Sequence, residues 1–107
     1  MFLKKELSKE QALLQISVPL EGEAVATFQE YIEELLTESH KTIIFDLSEV
    51  QAINSSSLGK ILLFRRKLID QKRNLQIRGC SDELFKIFKL IMFDRIIDIK
   101  KERLTTL

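Results

Sequence analysis

The chemically suggestive segment of this chain is Asn54-Ser55-Ser56-Ser57, a run of small polar residues that opens an apolar-periodic stretch. Each side-chain oxygen can accept from the unpaired backbone N–H groups of a first helical turn, so the run supplies several possible N-caps. A helix N-terminus also presents free donors and a partial positive charge, which suits a phosphate carried by a serine placed there. A phosphoserine would add about −1.5 to −2 charge, enough to invert the local potential in a chain of formal charge +1. Ser55 is the leading acceptor and Ser56 the weaker alternative. In the simpler reading the serines only cap a helix.

Other reactive side chains are sparse. A hydrolase triad needs a nucleophile, a base and an orienting group, yet the one histidine, His40, falls at the expected end of the first helix, where it reads as a C-terminal cap. The sequence contains neither a Gly-rich phosphate loop nor a dinucleotide fingerprint. No catalytic residues are therefore assigned, and a small hydrolase or transferase ranks third among the functions considered. Cys80, the single cysteine, cannot form an internal disulfide and reads as a small buried filler. One His and one Cys are too few for a usual zinc site, so no metal and no cofactor are expected.

Composition narrows the partners. The 17 basic and 16 acidic residues nearly cancel, which removes the long-range field that draws proteins to nucleic acid. No stretch approaches the ~20 apolar residues of a membrane span, and Met1-Phe2-Leu3-Lys4-Lys5-Glu6 lacks a secretory pattern. Neither nucleic-acid binding nor membrane insertion is expected, and the expected location is cytoplasmic. With 45% hydrophobic and 31% charged residues, the 107-residue chain can bury a core of its own and is read as a single domain, residues 1–107.

The elements that must position the serine run follow from periodicity. Two short extended runs within 2–18 flank Ser8-Lys9-Glu10-Gln11, with Leu14, Ile16 and Val18 alternating against Gln15 and Ser17, as in a hairpin. Val25, Phe28, Ile32, Leu35 and Leu36 recur at helical spacing over 22–37. Thr42-Ile43-Ile44-Phe45-Asp46-Leu47 is the run expected of a central strand covered on both faces. A second helix is predicted from the serine run to about 73, with Leu58, Ile61, Leu62, Leu68 and Ile69 as its buried stripe. Leu75 and Ile77 mark a strand closed by Gly79. Ser81-Asp82-Glu83 opens a third helix over 82–92, and Ile96 to Ile99 make a last strand. The order β-β-α-β-α-β-α-β predicts an α/β domain with a mixed, mostly parallel sheet, an N-terminal hairpin and packed helices.

The segment Ile43-Ile44-Phe45-Asp46-Leu47-Ser48-Glu49-Val50-Gln51-Ala52-Ile53-Asn54-Ser55-Ser56-Ser57-Leu58-Gly59 resembles the signature of STAS domains, the family of bacterial anti-sigma factor antagonists. There an apolar strand and Asp-Leu lead through a short loop to Asp-Ser-(Ser or Thr)-Gly-Leu-Gly at a helix start. The resemblance continues through Leu75-Gln76-Ile77-Arg78-Gly79, the Ser81 helix and Phe93-Asp94-Arg95-Ile96-Ile97. It implies a serine switch: the first serine of the motif, here Ser55, is phosphorylated by a kinase that is also an anti-sigma factor, and only the unphosphorylated domain captures that partner. Glu21, Asn54, Ser55, Ser56, Ser57, Leu58 and Gly59 are the implied contact residues. The implied alternative is a constitutive scaffold or a subunit of a transporter or signalling complex. Asn54 stands where the family usually has Asp, Ser57 where it has Gly, Glu21 where Asp is frequent, and Val18 where Gly is common.

Three local expectations accompany this reading. Ser57 follows two plausible caps and should adopt ordinary helical dihedrals despite replacing Gly. Gly59, costly in a helix by ~1 kcal/mol, is expected to allow close packing of a neighbouring strand, with a docked partner's backbone as the alternative. Lys60, Arg65, Arg66, Lys67, Lys72 and Arg73 make the second helix basic, read first as a solvated face and second as a partner patch. Phe85, Ile87, Phe88, Leu90, Ile91, Met92 and Phe93 exceed one apolar stripe, so part of that set is either an exposed contact surface or a second buried contact.

Overall fold

The computed structural model describes residues 1–104. Strands β1 (Phe2–Glu6) and β2 (Gln11–Ile16) are followed by α1 (Ala24–Thr37), β3 (Thr42–Asp46), α2 (Ser55–Asp70), β4 (Asn74–Arg78), α3 (Asp82–Leu90), a 3-10 turn (Phe93–Arg95) and β5 (Asp98–Lys100). The sheet order is β1-β2-β3-β4-β5. β1 pairs antiparallel with β2, as a hairpin must, and the other neighbours are parallel. β3 is central and Ser55 begins a helix, as expected.

Parallel neighbours need crossovers, and right-handed crossovers that always step the same way place their helices on the same face. The buried apolar residues of all three helices accordingly join one core cluster with Ala12, Leu14, Ile16, Ile43, Phe45, Leu47, Leu75, Ile77 and Ile99. Phe28 of α1 meets Phe45 edge-on at 5.6 Å, and Phe64 of α2 stacks on Phe45 at 5.5 Å. β3 is buried on both faces, though by different means. Leu13 and Ile44 lie across from each other on the other face, buried but outside the cluster. A polar lattice borders them: Arg78 reaches Gln76 and Asp98, while Gln15 and Arg103 reach Asp46.

Several boundaries differ from the sequence expectation. α2 ends at Asp70 rather than near 73, because Lys72 turns left-handed (φ 61°) and Arg73 N and Lys72 N close back on the Leu68 and Ile69 carbonyls. This is a helix stop with the 6→1 and 5→2 bonds of a Schellman motif. Arg73 turns inward, donating from Nε to His40 O (2.6 Å) and from Nη2 to Leu35 O (3.0 Å). It thereby satisfies a carbonyl at the end of α1, the task expected of His40, whose ring bonds instead to Glu6 Oε1 (2.7 Å). The buried stripe of α2 is Ser57, Ile61, Phe64 and Leu68, a 4-3-4 spacing; Leu62 and Ile69 are exposed. α3 ends at Leu90, Met92 turns left-handed, and the 3-10 turn delays the last strand to Asp98. Phe88 and Phe93 of the apolar set are buried, while Leu90, Ile91 and Met92 are exposed.

Gly79 joins these layers at the end of β4. Its N–H donates to Lys100 O and Glu102 O, and its φ is +74°. A Cβ there would lie 3.0 to 3.1 Å from Arg103 Cγ, Asp46 Oδ1 and Ser48 Cβ. Gly79→Ala should therefore destabilise the domain by about 1 to 3 kcal/mol, from left-handed strain and crowding. Urea unfolding checks this, and a midpoint equal to that of wild type would refute the account.

Candidate functional site

Leu20, in the connection after β2, sets the geometry of the serine loop. Its N–H donates to Ala52 O (2.9 Å), and Asn54 N donates to Leu20 O (3.1 Å). The two segments form an isolated parallel bridge, Leu20 to Ile53. The connection following β2 is thereby fastened to the one following β3, and Glu21 is brought beside the start of α2.

Asn54 is the N-cap. Its backbone is extended and its Oδ1 accepts from Ser57 N (2.9 Å), while Asn54 O takes the first helical bond from Leu58 N. Of the possible caps in the run, this is the one used. Ser57 has no positive φ, as expected, and its side chain has a role that the sequence reading missed. The hydroxyl is fully buried and donates to Leu20 O at 3.0 Å. The detectable signal was its place at the head of the 57-61-64-68 stripe.

The caps and the bridge leave Ser55 and Ser56 exposed on the first turn, with Glu21 and Gly59 also exposed and Leu58 half-buried. α2 has no acidic residue in its first turn, so its positive end is not neutralised from within. An exposed hydroxyl at such an end can carry an anion at little cost to the fold. Gly59 departs from expectation: its φ is not positive, and a Cβ there would meet nothing within 4 Å. Internal packing does not require glycine at this position.

The remaining reactive groups lie elsewhere. His40 precedes β3 whereas Ser55 follows it, so the two stand at opposite ends of that strand. Cys80 is buried, and that burial pushes its thiol up from the ordinary value, disfavouring the nucleophilic thiolate. Among the described residues no group of three or more His, Cys, Asp or Glu could hold a metal ion, and no helix is long and apolar enough to cross a membrane.

The STAS domain profile matches residues 4–104. Among solved structures, a Thermotoga maritima protein provisionally described as an anti-sigma factor antagonist superposes with TM-score 0.83 at 23% identity, covering 92% of this chain and 84% of that one. The anti-sigma factor antagonist SpoIIAA, unphosphorylated, gives 0.80 at 18% identity, covering 94% and 88%. The phosphorylated form of the Bacillus cell fate determinant SpoIIAA gives 0.74 at 18% identity, covering 94% and 91%. No curated protein sequence matches this chain.

Substitutions at the loop should separate by role. Asn54→Ala should cost about 1 kcal/mol through the lost cap, and Ser57→Ala a similar amount through one buried hydrogen bond. Gly59→Ala should instead stabilise the free domain by up to ~1 kcal/mol, because Ala is the better helix former and has room. Thermal and urea melts test all three, and a destabilised Gly59→Ala would contradict the open space described.

Proposed function

Because this chain belongs to the STAS domain family, we propose that it is an anti-sigma factor antagonist-like switch controlled by phosphorylation of Ser55. The observation that carries the reading is the exposed Ser55 on the first turn of α2, at a helix end without acidic neighbours in that turn. Asn54 and Ser57 hold that turn from below, so the acceptor hydroxyl is displayed on a fixed frame. The proposed partner is an anti-sigma factor or related serine kinase, in the cytoplasm, contacted by Glu21 and by Asn54 to Gly59. SpoIIAA, which shares the fold, exists in unphosphorylated and phosphorylated forms.

Phosphate at this position would act on binding rather than on folding. Negative charge at a helix N-terminus stabilises by about 0.3 to 1 kcal/mol. The same charge at the centre of a docking surface must be desolvated on contact, which can cost several kcal/mol when uncompensated. Each 1.4 kcal/mol is about tenfold in affinity, so a partial penalty already makes an off state. Ser56 faces solvent as well and is the second acceptor.

A constitutive scaffold remains the second reading, favoured by one observation: the loop's hydrogen bonds close without any phosphate. The two readings part on a titration of wild type, Ser55→Asp and Ser55→Ala against a purified serine-kinase anti-sigma factor, with phosphate incorporation and melts measured alongside. The switch predicts phosphate on wild type but not on Ser55→Ala, at least about a tenfold loss of affinity for Ser55→Asp, and near-unchanged melting. Equal affinity of all three proteins, with no phosphate incorporated, would establish the scaffold instead.

A further inference from the structure

The face of α2 that continues from Ser55 combines exposed leucines with arginines along a groove. Ser55, Gly59, Leu62, Leu63 and Arg66 recur at intervals of three and four and share one side of the helix. Leu62 and Leu63 are 43% and 52% exposed. Gly59, Leu62, Leu63, Arg65 and Arg66 line a groove of about 420 Å³. We propose that this groove docks an acidic amphipathic helix of the partner protein, seated over the bare backbone at Gly59.

Gly59 supplies the first argument. Neither backbone conformation nor internal packing calls for glycine there, and glycine is the poorest helix former after proline. The missing side chain matters only to something outside the domain, where it permits close approach of another backbone.

Charge supplies the second argument and selects the occupant. Among the described residues, Lys60, Arg65, Arg66 and Lys67 form no ion pair. Two guanidinium groups beside exposed leucines fit an element whose apolar side chains are flanked by carboxylates, since Arg binds carboxylate bidentately. An apolar stripe at helical spacing is also the usual seat of a helix in a groove.

This proposal deepens the switch reading by naming the chemistry of the partner's docking element, and it rests on that reading through the shared face with Ser55. The probe is a lactam-stapled helical peptide with leucines at i, i+3, i+4 and i+7 flanked by glutamates, titrated into the folded protein and followed by amide chemical shifts. Shifts should concentrate at Gly59, Leu62, Leu63 and Arg66, and binding should weaken with added salt. Affinity should fall about tenfold or more in Arg65→Glu/Arg66→Glu, a loss typical of close charge pairs, and in Gly59→Leu, which fills the notch. Melts and the milder Arg66→Gln guard against misfolding. Equal binding of a peptide with lysines in place of glutamates, shifts away from α2, or no shifts at all would overturn the proposal. The Ser55→Asp protein separates the two ideas when it is titrated with both the peptide and the serine-kinase anti-sigma factor: weakened binding of both supports both, whereas peptide shifts at the groove with unchanged affinity for the kinase sink the switch and leave the groove standing.

Discussion

One carbonyl holds the functional end of this domain together. Leu20 O accepts from both Asn54 N and Ser57 Oγ, using the two lone pairs of a single buried acceptor. Those bonds tie the exit of β2 to the exit of β3 and fix where α2 starts. Everything displayed on the first turn, including the exposed serines and the neighbouring Glu21, takes its position from this junction. The core below it is apolar and aromatic, with Phe45 between Phe28 and Phe64. The polar junction thus sits on a packed apolar base.

The residues at 54 and 57 gain meaning from this junction. Asn54 caps as an aspartate would, through the same oxygen, but adds no negative charge to the helix end. No acidic residue of the first turn therefore offsets the positive end of α2. Ser57 introduces a hydroxyl where the family usually has none, and that hydroxyl is consumed internally. The motif departs from its family pattern in side-chain identity while keeping the turn in ordinary helical conformation.

Much of the fold was legible because period and capping agreed. The β-branched run at Ile43 and Ile44, the cap at Ser81 and the helix over Phe28 and Ile32 were all placed by local rules that tertiary packing then reinforced. What escaped was tertiary. Counting apolar residues on α2 favoured Leu62 and Ile69 over Phe64, since a leucine on the outer face looks the same in sequence as one on the inner. Arg73 was read as part of a solvated face, yet its guanidinium serves carbonyls of the chain around α1. Burial lowers its pKa from the ordinary value, although nearby Glu38 pulls the other way. His40 was assigned by its sequence position, but the partner it finds, Glu6, comes from a distant strand. Gly59 was expected to be a packing glycine, and only three-dimensional emptiness corrected that.

The strand order has a further consequence for how the chain assembles. Order in the sheet equals order in the chain, so every pairing joins strands adjacent in sequence, and the entropic cost of loop closure stays modest. A nascent chain emerging from the ribosome can add one strand and one helix at a time, each docking on a surface already formed. Until β5 arrives, the growing sheet ends in a bare parallel edge with unpaired backbone groups. The final strand is only three residues long, a short lid that closes this edge and offers little template for another copy. Misassociation through this edge is thereby favoured chiefly during synthesis, while β1 forms the opposite edge of the finished sheet.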